Sequence, residues 1–521
     1  DRPNVVLIMT DNHGAWTLGC YGNDDIRTPN IDRLAAEGTR FTREFSSNPV
    51  CSPTRATFLS GLIPSQHGVH CFLTGGRLQT GPEARSTLNE VTSLPEVLRD
   101  CGYACGLVGK WHLGANLRRQ EGFDDYWITM PHGGTSTFYD AKVIEDGKIR
   151  KEPQYLTDFW TKHALRFIEQ QADSENPFFL FLSYNGPYSL SRLLLRPGKN
   201  RHADYYSDKD LPSFPREPTH PWQFSNRDYH NNPISIRRVA TEVSGIDDGV
   251  GAIMKALKRN GLDENTIVVF VADQGWVGGQ GGFFGMGDHT RPVTARDEMM
   301  RIPMIWRHPN GIRSGSVSDR MVTNYDFMPT LLSYLELGDE MPSYPPSPGI
   351  DFSEELNREQ GSVASQSMTD RPIFYEFESL RCVRTDGWKY IHRHPNGPHE
   401  LYDLGSDADE FNNLVDDPRS QSVRQRLKLQ LDDFFDRYAV DRYDMWKGGG
   451  SQTKIFVGVG EELAQSEPAA PPPLEGHLKP AEITVPEGFT VELVAGPPLV
   501  THLSLIHISE PTRRTIPSRM P

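Results

Sequence analysis

Four stretches of this chain are apolar almost throughout and hand over to a polar side chain. Asn4-Val-Val-Leu-Ile-Met-Thr-Asp11 ends in a carboxylate, and Ala104-Cys-Gly-Leu-Val-Gly109 runs into Lys110. Phe178-Phe-Leu-Phe-Leu-Ser-Tyr184 runs into Asn185, and Thr266-Ile-Val-Val-Phe-Val-Ala272 into Asp273. A short unbroken apolar run is the pattern of a strand buried on both faces, which occurs where helices cover a largely parallel sheet. Helices fit between the runs. Residues 28–38 open on Thr-Pro and residues 94–102 on Leu-Pro, and both segments close on Gly. Ile236, Val239, Val243, Ile246, Val250, Ile253 and Leu257 recur at three- and four-residue steps ahead of Gly261. The spacing predicts an α/β fold, a large, mostly parallel mixed sheet flanked by helices on both faces. In such sheets ligands bind outside the carboxyl ends of the strands. Asp11, Lys110, Asn185 and Asp273 are thereby drawn toward one edge.

After about residue 370 the texture changes to short segments separated by Asp-Gly and Asn-Gly turns, read as a smaller C-terminal antiparallel-sheet subdomain closed by a helix near 420–438. With 521 residues, one large domain and a smaller one are expected. The predicted boundaries are a catalytic α/β domain over 1–370, the subdomain over 371–440, and a linker with an incomplete tail over 441–521.

A net charge of −15 argues against a nucleic-acid partner, and no apolar run reaches the roughly 20 residues of a membrane span. Six cysteines are too few for a disulfide framework in a chain this long, so most are read as small buried hydrophobes.

Two doublets, Asp11-Asn12 and Asp273-Gln274, each close a buried strand. Together they offer four oxygen ligands, which suit Ca²⁺ or Mg²⁺ better than a soft metal; the competing reading is that they only cap the following turns. Lys110 and His112, in Lys110-Trp-His-Leu-Gly114, place a fixed cation and an imidazole two residues apart just past a strand. Cys51 precedes Pro53, which suits a first helical turn, and Arg55 follows one turn later. A thiol in the field of a helix N-terminus is expected to have a lowered pKa and to act as a thiolate nucleophile.

Cys51-Ser-Pro-Thr-Arg55 followed by Ala-Thr-Phe-Leu-Ser-Gly61, and then Gly109-Lys-Trp-His-Leu-Gly114, resembles the two signatures of the type I, formylglycine-dependent sulfatases of the alkaline-phosphatase-like superfamily. Residues 30–38, 246–248, 326–332 and 400–404 continue the resemblance in the same order, to about residue 440. The resemblance implies that a formylglycine-generating enzyme oxidises Cys51 to formylglycine (3-oxoalanine), whose hydrate attacks the sulfur of a sulfate ester. It further implies that Asp11, Asn12, Asp273 and Gln274 hold Ca²⁺ in preference to Mg²⁺, Arg55 stabilises the hydrate, Lys110 binds sulfate oxygens and His112 assists breakdown of the intermediate. A sulfated sugar or other alkyl sulfate is the implied substrate, and the implied location is periplasmic or secreted.

Three positions depart from the family pattern. Tyr188 stands where relatives commonly carry His, and Gly281 and Met286 stand where many carry a His and a Lys. Tyr188, His289 and Arg291 are the candidates for the missing substrate contacts, with His289 as acid and Arg291 as cation. The alternatives are a phosphodiesterase or phosphonate hydrolase on the same site, or a degenerate member that binds sulfated glycan.

Overall fold

A central ten-stranded sheet positions everything else. The computed structural model describes residues 2–134, 137–187, 192–356 and 371–456; Tyr188 and the chain beyond 456 lie outside them. The sheet contains β1 (Asn4–Asp11), β2 (Thr39–Phe45), β3 (Ala104–Gly109), β4 (Tyr126–Thr129), β5 (Ala141–Glu145), β6 (Lys148–Glu152), β7 (Phe178–Pro187), β8 (Thr266–Ala272), β9 (Arg301–Arg307) and β10 (Ser316–Thr323), in the order β10-β2-β9-β8-β1-β7-β3-β4-β5-β6. At its centre β8, β1, β7 and β3 run parallel, while β9 is antiparallel to both of its neighbours. The mostly parallel mixed sheet read from the sequence is the architecture observed.

The four apolar runs are these central strands, and side-chain alternation explains why their middle positions are apolar on both faces. Val6, Ile8, Leu180 and Leu182 point into one core, whereas Val5, Leu7, Phe179 and Phe181 point into the other. Helices α1 (Pro29–Ala36), α4 (Leu156–Gln171) and α5 (Pro233–Arg259) cover the first face. Helices α2 (Cys51–Ser60), α3 (Leu94–Asp100) and α6 (Phe327–Tyr334) cover the second. Asn232 caps α5 by accepting from the N–H groups of Ile234 and Ser235.

A separate four-stranded antiparallel sheet, β11 (Ile373–Phe377), β12 (Leu380–Arg384), β13 (Trp388–Arg393) and β14 (Glu400–Asp403), packs under α7 (Gln421–Tyr438) through Leu427, Leu431 and Phe435. A buried ionic group ties it to the large body. Asp297 receives Arg384 Nη2 and Lys389 Nζ, each at 2.8 Å, and Lys389 also reaches Glu410 at 2.8 Å. Beyond α7 the chain returns along the body: Val440 N–H donates to Ser65 O, Gln452 N–H donates to Gly68 O, and Phe456 stacks on Phe72.

Candidate active site

The carboxyl ends of β1, β3 and β8 meet the first turn of α2. Asp11 ends β1, Lys110 follows β3, Asp273 follows β8, and Cys51 opens the helix. Ligand atoms of Asp11, Cys51 and Asp273 all lie within 4.8 Å of one another, and all three residues are buried. Gly109 permits the approach of β3 to β7: its φ is +111°, and a Cβ there would meet Ser183 O at 1.9 Å.

Each charged group has a fixed partner. Asp273 Oδ1 accepts the backbone N–H groups of Asn12 at 3.0 Å and Gln274 at 2.8 Å, and Oδ2 accepts Arg55 Nε and Nη2 at 3.1 and 2.9 Å. Arg55 Nη1 donates to Lys110 O and Ser183 Oγ. The guanidinium is fully buried, and these bonds make it the residue that orients Asp273. Lys110 Nζ donates to Asp11 Oδ1 at 2.7 Å.

Burial and then the Asp11 charge push Asp273 up to about 6. For Asp11 burial also acts upward, but Lys110 and Arg55 outweigh it and hold the carboxyl below its ordinary value. Cys51 is pushed the other way from expectation. Its Sγ donates to Asp11 Oδ1 at 3.3 Å, and burial together with that carboxylate raises the thiol to about 12. The thiolate expected from the helix N-terminus is therefore corrected to a protonated thiol. Burial, helped by Asp11 from a distant part of the sequence, overcomes the field of one helical turn.

Partnerless atoms cluster here. Asn12 Nδ2, Gln274 Oε1 and His112 Nδ1 are buried side-chain atoms without a hydrogen-bond partner. Gln274 Nε2 faces Asn12 Oδ1, Cys51 Sγ at 3.2 Å and Met286 Sδ at 3.5 Å. Turning that amide over exchanges its two ends and sets Oε1 beside Asn12 Oδ1 and Cys51 Sγ, the latter grouped with the Asp11 and Asp273 carboxylates. The resulting donor set is all hard oxygen, and it fits Ca²⁺.

His112 is oriented by the backbone. Its Nε2 is 2.9 Å from Leu73 O, so Nε2 carries the proton and Nδ1 keeps a lone pair. Gly133 lies flat against the ring, where a Cβ would come within 2.0 Å of it. Ser52 Oγ donates to His112 O at 2.9 Å, tying this loop to the nucleophile helix.

The candidates for substrate contacts are placed differently. His289 Nδ1 accepts from Asn226 Nδ2 at 2.8 Å and Met286 N–H at 3.3 Å, and burial pulls its pKa down to about 3. It is neutral, which corrects its reading as an acid. Arg291 Nη1 donates to the carbonyls of Asp288 and Thr290, and its guanidinium lies over Phe224, so its N–H groups are already engaged there. Met286 does sit beside Gln274, whereas Gly281 opens toward Arg296. Ser183 and the Leu73 carbonyl were missed in the sequence. The strand-end rule, extended two residues inward from Asn185, would have found Ser183; a carbonyl has no residue signature.

The family profile described as Sulfatase matches residues 3–337. The chain belongs to the sulfatase family. A second profile, described as N-sulphoglucosamine sulphohydrolase, C-terminal, matches residues 293–437. This sulfatase is 32% identical to N-acetylgalactosamine-6-sulfatase of Mus musculus over 406 residues, 72% of this chain and 68% of the relative. It is 26% identical to N-acetylglucosamine-6-O-sulfatase of Bacteroides thetaiotaomicron over 511 residues, 84% of this chain and 87% of that one. Among solved structures, a putative sulfatase from Bacteroides fragilis superposes with a TM-score of 0.70 at 27% identity, covering 84% of this chain and 96% of its own. The protein is a sulfuric ester hydrolase.

Proposed function

We propose that this sulfatase hydrolyses a sulfate ester carried on a sugar, using a formylglycine made from Cys51 beside a bound Ca²⁺. One observation carries the reading: Cys51 lies within 4.8 Å of two strand-end carboxylates whose neighbouring amides leave Asn12 Nδ2 and Gln274 Oε1 without partners. The relatives named for hexosamine 6-sulfates support the sugar as carrier. Asp11, Asn12, Asp273 and Gln274 would hold the cation. When present, Ca²⁺ supplies charge neutralisation for the anionic ester, and formylglycine supplies the attacking oxygen.

The remaining chemistry belongs to side chains of this chain. Lys110, with no exposed surface and paired to Asp11, offers the other N–H bonds of its ammonium to ester oxygens. Arg55 keeps Asp273 in register through two bonds to one oxygen. His112 Nδ1 is a buried acceptor without a competing partner, suited to take the proton released when the product sulfate leaves. Burial of the whole group excludes bulk water, which strengthens each of these interactions.

Met286 favours a second reading, a glycan binder with little turnover. A thioether carries no charge to meet the leaving oxygen. Parallel assays decide between them. Enzyme matured with a formylglycine-generating enzyme is given a sugar sulfate, a phosphodiester and a phosphate monoester, with and without chelator, while mass spectrometry reads the Cys51 peptide. Sulfate release that requires both the converted residue and Ca²⁺ is expected. Full activity with an unmodified thiol would sink the mechanism, and binding without turnover would select the second reading. The same proposal has the protein act outside the cytoplasm, in the periplasm or after secretion.

A further inference from the structure

The seam between the large body and the small sheet contains a cavity of about 350 Å³. Its walls are mostly rings. His220 and Trp222 come from the long loop before α5, Phe283 from the segment after Gln274, and Tyr402 and Phe411 from β14 and the turn beyond it. His220 stacks on Phe283 at 4.2 Å, and Trp222 stands edge-on to His220 at 5.6 Å. Phe411 is 62% exposed at this cavity, an apolar ring left facing water. The volume lies within the range of ordinary ligand sites, which favour such seams.

The charged groups lining the cavity are already engaged. Arg296 Nη1 donates to Glu410 O at 3.0 Å, Nη2 donates to Asp409 O, and the guanidinium lies over Phe283 at 5.4 Å and Phe411 at 5.7 Å. The Glu410 carboxylate meets Lys389 at 2.8 Å and the Asp297 N–H at 2.6 Å. Burial and then Arg296 lower the pKa of His220, keeping the ring neutral. A cavity with aromatic walls and an engaged cation does not select sulfate. It suits a ring that is apolar on its faces and hydroxylated around its edge.

Gly281 also lines this cavity, and Met286, later in the same short segment, touches Gln274 at the reaction centre. We propose that the cavity binds an unsulfated sugar ring of an oligosaccharide substrate, with Trp222 and Phe411 as its stacking faces. This deepens the reading of a saccharide-borne ester and rests on it. The missing side chain at 281 is then what leaves the cavity open.

The test uses matured full-length enzyme. In Phe411→Ala, KM for a sulfated oligosaccharide is expected to rise about 5- to 10-fold, with kcat kept and the kinetics on a monosaccharide sulfate unchanged; Phe411→Tyr restores KM. Tryptophan fluorescence, with Trp222→Phe as the control, follows binding of an unsulfated oligosaccharide and, separately, of a simple phenol. Weaker oligosaccharide binding in Phe411→Ala supports the proposal. Equal KM changes on both substrates, or binding of the phenol but not of the oligosaccharide, overturn it. If the wild type turns over neither sugar sulfate, the saccharide-sulfatase reading fails. The titration then decides the cavity alone: an effect of Phe411→Ala on binding supports it, and no binding or no effect overturns it.

Discussion

Two buried groups in this protein are made of the same ionic parts and differ in what they leave unfilled. At the reaction centre, Asp11 and Asp273 face Lys110 and Arg55, while the amides of Asn12 and Gln274 and the His112 ring contribute partnerless atoms. At the junction with the small sheet, Asp297 and Glu410 face Lys389 and Arg384, and each carboxylate oxygen meets a cation or an N–H. Burial would raise Asp297, but Lys389 and Arg384 hold it well below the usual carboxylate range. Asp273, pressed by burial and by Asp11, goes up to about 6 instead. At the junction Glu410 Oε1 lacks a hydrogen bond but stays in ionic contact with Lys389, so its charges are paired within the protein; at the centre the partnerless atoms face the paired carboxylates.

The sharpest way to break this contrast is to remove one carboxylate from each group. Asp273→Asn is expected to lower kcat/KM by about 10³-fold or more, because it takes away one of the two charges facing the cation and the partner of Arg55. Asp297→Ala is expected to leave the chemistry largely in place but to destabilise the fold by about 3–5 kcal/mol, since Lys389 and Arg384 lose their partner in a buried setting. Urea midpoints and steady-state rates read the two effects separately. If both variants lose activity and stability in the same proportion, the two groups are not distinct in kind.

Calcium provides the next test. Saturation at about 100 times its dissociation constant is expected to stabilise the wild type by about 2.7 kcal/mol. Asp297→Ala should keep that increment and Asp273→Asn should lose it, as melting curves with added Ca²⁺ or chelator will show. Retention of the increment by Asp273→Asn would place the cation elsewhere.

The smallest expected effect concerns Glu298, the neighbour of Asp297, whose carboxyl burial pushes up from 4.5 to about 7. The folded protein holds this proton more tightly than the unfolded chain does. Its contribution to stability is therefore full below about pH 4.5 and is lost as pH rises through 7. Glu298 retains some exposure, so the loss is about 1–2 kcal/mol. Glu298→Gln should flatten the pH dependence of the denaturation midpoint over that interval, and an unchanged slope would refute the assignment.

Much of the large sheet was legible because strands buried on both faces are apolar along their middle positions. That is why the runs ending near Asp11, Lys110 and Asp273 stood out and why their ends converge. The chemistry was less legible wherever it depended on partners remote in sequence. The thiol of Cys51 is pushed up first by burial and then by Asp11, neither of which a local reading of the helix start could supply. Arg291 looked like an available cation until Asp288 and Phe224 were seen to hold it. Gly281 and Met286 were located by resemblance to the family pattern, yet only packing separates them, one at the aromatic cavity and the other beside Gln274.

The bond from His112 Nε2 to Leu73 O has a consequence for how this site can change over generations. Because the acceptor belongs to the main chain, every residue that can occupy position 73 supplies it, and drift at that codon does not by itself alter which ring nitrogen carries hydrogen. Proton-accepting ability at Nδ1 is thus protected against point substitution of its support and is vulnerable to shifts of the loop that contains Leu73. Phe456 and Gln452, which brace that loop from the far end of the described chain, become guardians of an imidazole they never touch.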